Sequence, residues 1–170
     1  KEYSNVICRE LDKFTSETNR NIQIILEPGK FLTSESGFFL TKVNNIKKSY
    51  NTKFAQVNSG FNHFIRPTLY NSYHEIIKLN KDNDEKETYN VVGYICEKDT
   101  FAQQRTINKL KVGDLICFKN AGAYCFSMSS NYNSRVKPAE ACIIDNKIKL
   151  IRKRETVENL LKNQINIFVK

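Results

Sequence analysis

A chain of 170 residues suits one domain, with room for a piece of a second. It carries 27 Lys and Arg against 18 Asp and Glu, a formal net charge of +9, and 40% of its residues are hydrophobic. That apolar content excludes wholesale disorder. No apolar run approaches the roughly 20 residues needed to cross a bilayer, and no signal-peptide pattern opens the chain.

The only methionine is Met128, so a chain opening at Lys1 reads as a fragment or a processed product. A basic balance can mark a protein that meets nucleic acid or an anionic surface. Here Lys and Asn are scattered, and the densest stretch, IRKRE at 151–155, is short. Aromatic residues mostly fall in apolar runs rather than between Lys and Arg, so a nucleic-acid barrel is disfavoured. Cys8, Cys96, Cys117, Cys125 and Cys142 are widely spaced with no Cys-x-x-Cys pair. That argues against a zinc site and a disulfide scaffold, and for free thiols in a reducing cytoplasm.

In chain order, Val6, Ile7, Leu11 and Phe14 fall near helical spacing. A polar loop over 16–21 follows, then the apolar run IQIIL at 22–26, which suits a buried strand. Glu27-Pro28-Gly29 stops it. Helix, loop and buried strand form the repeating unit of a parallel α/β fold. From Gly37 the texture changes, and strands are expected at 38–43, 54–57, 89–96, 114–118, 139–144 and 148–152. Asp145-Asn146 joins the last two as a hairpin. Residues 81–87 form a charged exposed loop. Thr156 caps a final amphipathic helix carrying Val157, Leu160, Leu161 and Ile165.

Four islands hold residue types unusual for plain β structure. Glu27-Pro28-Gly29-Lys30 ends a strand; Gly29 allows backbone amides to approach an anion and Lys30 adds charge. Its plainer reading is a strand-ending turn. Arg66 and Tyr70, four apart, share a side if their segment is helical, and Arg66 suits a carboxylate. The plainer reading is an exposed Arg and a half-buried Tyr. Cys96-Glu97 places a thiol beside a carboxylate, which suits proton transfer, or is a structural thiol. Small residues at 120–123 before Tyr124 imply a close backbone approach to something, or a turn with a packed aromatic. Cys117, Cys125 and Cys142 read as core thiols, and His63 and His74 as hydrogen-bonded supports.

Taken together and in order, NSGFNHFIRPTLYNSYHEI, VVGYICEKDTF, GDLICFKNAGAYCFSMSSNYNSR with PAE, and LIRKRET resemble the C-terminal part of diaminopimelate decarboxylases. These are pyridoxal-phosphate enzymes of the alanine-racemase-like fold type. The resemblance implies a mainly β (α+β) chain. Residues 1–36 would be the last β/α unit of a TIM-type barrel, and residues 37–170 a C-terminal β-barrel-like domain closed by a helix. The lysine that binds the cofactor covalently would lie outside this chain, so the chain alone is not expected to decarboxylate. Carried over residue by residue, Glu27 would face the pyridinium nitrogen. Gly29 and Lys30 would lie at the cofactor phosphate, and Lys30 also near the substrate. Arg66 and Tyr70 would bind substrate, and Tyr124 would touch both cofactor and substrate. Cys96 would return a proton after CO2 leaves, and Glu97 would contact the substrate and can hold an ammonium group. The Cys-Glu pair would act in the other subunit's site of a homodimer.

Lys30 departs from the family's usual Arg, keeping the charge and losing the planar fork. The implied function is conversion of meso-2,6-diaminopimelate to L-lysine and CO2 in lysine biosynthesis, with pyridoxal 5'-phosphate and an amino-acid substrate, in the cytoplasm. No metal, nucleic acid or membrane is expected. The alternatives are a decarboxylase of ornithine or lysine, and a catalytically silent regulatory relative.

Overall fold

The computed structural model describes residues 1–80, 85–165 and 167. A first helix, α1 (Glu2–Thr18), runs past the expected polar loop start at 16. Ser16 and Thr18 turn their hydroxyls back onto the carbonyls of Lys13 and Phe14, both at 2.7 Å. This lets polar residues sit in a last helical turn. Asn19, in the left-handed conformation, ends the helix.

Residues 22–26 do not form the expected strand. Ile25 and Leu26 are exposed, and no described residue pairs with the run. A buried parallel strand takes its hydrogen bonds from strands on either side, and its apolar character alone supplies neither partner.

The body of the chain is a six-stranded, mostly antiparallel sheet built from β1 (Phe39–Ser49), β2 (Thr52–Val57), β3 (Ile76–Lys78), β4 (Lys86–Val92), β5 (Thr100–Asn108) and β6 (Leu115–Phe118). Their order is β3-β6-β1-β2-β4-β5, and the two end strands approach each other, so the sheet curls into a nearly closed barrel. Only β2 and β4 run parallel. β1 alternates buried and exposed over its first half, with Phe39, Thr41 and Val43 inward. Phe39, Phe64, Phe101 and Phe118 meet inside with ring centroids 5.3–6.2 Å apart. Lys78 is also enclosed: its ammonium lies 3.0 Å from Asp114 Oδ2 and donates to the Lys109 carbonyl at 2.9 Å.

Five expected strands and the hairpin are present. The sixth, 89–96, stops at Val92, because Gly93 onward turns away as a loop. Two strands had no clear sequence signal. β3 is three residues long, and β5 carries the polar run Gln103-Gln104-Arg105 with Gln104 at φ 46°, an irregularity in the β4–β5 pairing. Of the expected loop at 81–87, residues 81–84 lie outside the described residues, and Lys86 and Glu87 open β4.

β7 (Glu140–Ile144) and β8 (Lys147–Arg152) form a separate hairpin. Asp145 and Asn146 both have positive φ, 51° and 58°, as a tight two-residue turn requires. The closing helix α3 (Val157–Leu161) is short, and Ile165 lies beyond it. Cys117 is buried and Cys125 half-buried, its thiol pushed up to about 12 by burial. Cys142 sits on the separate hairpin rather than in the core.

Candidate functional site

The structure gathers the candidate residues into two groups. The first forms where the stretch after Glu27 meets the loop around Tyr124. Gly29 N–H donates to Glu27 O at 2.8 Å and Phe31 N–H to Pro28 O at 3.2 Å. The Gly29 amide is thus spent on its own turn. What glycine provides here is space: a Cβ at position 29 would stand 1.9 Å from Tyr124 Oη.

The close approach implied by the small residues at 120–123 is to the chain itself. Ala121 N–H donates to Gly37 O at 2.8 Å and Gly122 N–H to Ser34 O at 2.9 Å. Ser34 Oγ donates to Asn120 O at 3.1 Å. A Cβ on Gly122 would lie 1.9 Å from Thr33 O, and one on Gly37 would lie 2.3 Å from Gly122 Cα. Glycine at both positions lets two backbones touch, and that contact carries Gly29 and Lys30 to Tyr124. Tyr124 itself has φ 61°, an uncommon conformation for a bulky residue. Such strain persists where the surrounding structure enforces it, and it clusters at functional sites.

Arg66 and Tyr70 lie on one short helix, α2 (Arg66–Tyr70), with Pro67 at its start. The i, i+4 spacing puts the Arg66 guanidinium 5.2 Å from the Tyr70 ring centre. The same guanidinium lies 5.4 Å from the Tyr124 ring. Arg66 is therefore held between two aromatic rings, with Nη2 3.5 Å from Ser72 Oγ. A cavity of about 560 Å³ opens beside it, lined by Lys30, Ser34, Glu35, Arg66, His74 and Asn120 among others. Neither Lys30 nor Arg66 is ion-paired with a carboxylate among the described residues. The Glu27 carboxylate also has no partner among them.

His74 supports this wall. Its Nδ1 lies 2.9 Å from the Lys119 carbonyl, and its ring packs edge-on against Phe64 at 4.6 Å. Burial, with Arg66 and Lys30 nearby, lowers its pKa. His63 is a second support, with Ser59 Oγ 2.9 Å from Nδ1 and the Val136 carbonyl 3.0 Å from Nε2.

The second group is the loop that follows β4. Cys96 and Glu97 are both exposed there. Asp99 fixes the backbone of this loop, accepting from Ile95 N–H at 2.9 Å and from Phe61 N–H at 2.8 Å. A Cβ on Gly93 or Gly60 would come within 2.1 Å or 2.7 Å of Asp99 Oδ2, so both glycines make room for the carboxylate. Sequence reasoning gives Asp99 no role of its own. Its signal is a buried-loop Asp flanked at a distance by two glycines, which only the fold brings together. The Glu97 carboxylate accepts a hydrogen bond from Tyr132 Oη. No hydrogen bond, ion pair or ring contact joins Cys96 or Glu97 to Lys30, Arg66, Tyr70 or Tyr124. Among the described residues no cluster of His, Cys, Asp and Glu could hold a metal ion, and no helix is long and apolar enough to cross a membrane.

Beside the curled sheet, Lys30 and Arg66 line one cavity, and the rings of Tyr70 and Tyr124 lie near the Arg66 guanidinium. The family model for the pyridoxal-dependent decarboxylase, C-terminal sheet domain, matches residues 30–122, and the chain belongs to this family. Among curated relatives, the diaminopimelate decarboxylase of Methanothermobacter thermautotrophicus is 45% identical over 82% of this chain and 33% of its own length. That of Archaeoglobus fulgidus is 39% identical over 96% of this chain and 39% of its own. The crystal structure of the M. jannaschii diaminopimelate decarboxylase superposes with a TM-score of 0.83 at 34% identity, covering 95% of this chain and 37% of that one. The chain thus spans between a third and two fifths of the length of these relatives.

Proposed function

We propose that this chain is the C-terminal portion of a diaminopimelate decarboxylase, which converts meso-2,6-diaminopimelate to L-lysine and CO2 with pyridoxal 5'-phosphate. In this reading residues 1–36 end an N-terminal barrel and residues 37–170 complete its site. The observation that carries the proposal is Arg66 held between Tyr70 and Tyr124 at the cavity that Lys30 also lines.

The donor set fits a phosphorylated cofactor and a dicarboxylic amino acid. Lys30, without a carboxylate bonded to it, supplies positive charge for a phosphate, and the Tyr124 hydroxyl beside Gly29 supplies a donor. Glu27 is assigned to the pyridinium nitrogen, where its carboxylate favours a protonated ring. When bound, pyridoxal phosphate takes up the electrons left by the departing CO2. Arg66 is assigned to the distal carboxylate, with Tyr70 beside it. Its ring contacts restrict the guanidinium to a narrow range of orientations, so less freedom is lost on binding. Cys96 is assigned as the proton donor, and Glu97 as the partner of the substrate's distal ammonium.

The separation of the two groups supports a homodimer. An exposed Cys-Glu loop with no contact to the cavity of its own chain suits delivery into the site of a second copy. Free thiols at all five cysteines fit a reducing cytoplasm. A decarboxylase of ornithine or lysine needs an acidic partner for a lone distal ammonium; Arg66 disfavours it. The test is CO2 release by the full-length protein with pyridoxal phosphate, comparing meso-diaminopimelate with ornithine and lysine. Turnover of diaminopimelate alone is expected. Turnover of ornithine or lysine instead keeps the fold and overturns the substrate. No turnover of any of the three points to a silent relative.

A further inference from the structure

We propose that Tyr132 is a positioning residue for Glu97, holding one carboxylate oxygen so that the other is presented to the distal ammonium of the substrate. The inference rests on the assignment of Glu97 above and goes beyond it to a residue of a different loop.

Glu97 is an exposed side chain at the tip of a loop. Left free, it samples several rotamers, and fixing a Glu costs side-chain entropy. Tyr132 removes much of that freedom in advance. Its hydroxyl donates to Glu97 Oε1, and Oε2 has no partner among the described residues. A carboxylate has lone pairs enough for both a phenol and an ammonium.

The tyrosine is itself held. Its ring packs against Phe61 with centroids 5.5 Å apart and an angle of 33°. The Phe61 amide is bound by Asp99 Oδ1 at 2.8 Å, and the other oxygen of Asp99 binds Ile95 N–H, one residue before Cys96. The loop carrying Tyr132 is tied to the loop carrying Phe61 by Ser130 N–H to Asn62 O at 2.8 Å. Three loops therefore close on one another: Asp99 fixes the backbone beside Cys96, and Tyr132 fixes the side chain of Glu97. Donating to Glu97 raises the pKa of the Tyr132 phenol above the ordinary value of 10.0.

The test is Tyr132→Phe in the full-length holoenzyme. This change removes the hydroxyl and keeps the ring on Phe61. Two ligands separate positioning from general damage: meso-diaminopimelate, and D-2-aminopimelate, which has the same carbon frame and both carboxylates but no distal ammonium. The expected result is a KM for diaminopimelate raised about tenfold, the size of a lost hydrogen bond to a charged group. The kcat and the inhibition constant of 2-aminopimelate should stay within about twofold. Equal weakening of both ligands, or no change in either, overturns the proposal. A readout independent of turnover is the titration of the Tyr132 phenol, taken as the difference between wild type and Tyr132→Phe. It should move down when Glu97→Gln is introduced, and an unmoved titration overturns the contact. A wild-type enzyme that ignores diaminopimelate overturns the substrate assignment instead, and the phenol titration still decides whether Tyr132 holds Glu97.

Discussion

Replacing Gly29 with Ala tests the close approach of the turn after Glu27 to Tyr124. Gly29 has no positive φ, so the backbone accepts an alanine there, and the loss of glycine's freedom in the unfolded chain favours the folded state by about 0.4–1 kcal/mol. The obstacle is steric. The new Cβ would stand 1.9 Å from Tyr124 Oη and 3.1 Å from Cζ. A carbon needs about 3.5 Å from its neighbours, so the hydroxyl must retreat by roughly 1.5 Å. Tyr124 is 42% exposed and has room to swing. Doing so breaks its contact with the Arg66 guanidinium, worth about 0.5–1 kcal/mol at an exposed site. The two effects on stability nearly cancel, and the denaturation midpoint should hardly move. On the proposed role of Tyr124, the affinity of the full-length protein for pyridoxal phosphate should fall about 10- to 100-fold, because a displaced hydroxyl would forfeit a bond to a charged group worth about 1.5–3 kcal/mol. The decisive assay is a double-mutant cycle with Tyr124→Phe, read as cofactor affinity by titration. Removing Oη removes the worst overlap, so Gly29→Ala should cost much less in the Tyr124→Phe background. An equal cost in both backgrounds refutes the Gly29–Tyr124 contact as the cause.

Arg66→Lys keeps the charge but loses both the planar fork and the two ring contacts; KM for diaminopimelate should rise about tenfold or more with kcat changed far less, as steady-state kinetics would show. Asp114→Ala strips the carboxylate from the enclosed Lys78 ammonium and should cost about 3–5 kcal/mol in denaturant unfolding, whereas a loss under about 1 kcal/mol would mean the pair is not buried as described. His63 and His74 have pKa values lowered from 6.5 by burial, so the unfolded chain takes up protons that the folded one refuses. Their contribution is present above about pH 6.5 and is lost as pH falls below it, and His63→Gln should flatten that part of the stability profile.

How far the sequence reveals the fold depends on how local each signal is. The 145–146 hairpin was legible because two residues with positive φ are written as Asp-Asn between apolar runs. The pairing of Arg66 with Tyr70 was legible because four residues make one helical turn. β5 was not, since its inward residues Phe101, Ala102 and Ile107 are separated by Gln103-Gln104-Arg105, and the bulge at Gln104 breaks the alternation that marks a strand. Residues 22–26 failed in the opposite direction: an apolar run says that burial is wanted, but a strand exists only where a neighbour offers hydrogen bonds.

The same distinction separates the site residues from the residues that place them. Lys30, Arg66, Cys96, Glu97 and Tyr124 stand out in the sequence because charge, thiol and phenol are reactive types wherever they occur. Gly37, Gly60 and Gly93 are silent there and Gly122 signals only a close approach to something, yet each marks a point where a side chain would collide with a neighbouring part of the chain. Gly37 and Gly122 let residues 33–37 lie against 120–122, which sets Lys30 beside Arg66; Gly60 and Gly93 make the slot for Asp99, which anchors the backbone next to Cys96. Substituting a bulkier residue at Gly122 should therefore disturb the cavity while sparing the Cys96 loop, and substitution at Gly93 should do the reverse. On the proposed homodimer, two sets of glycines that act independently suit a site assembled from two chains, because the cavity and the Cys96 loop would each be complete before they meet.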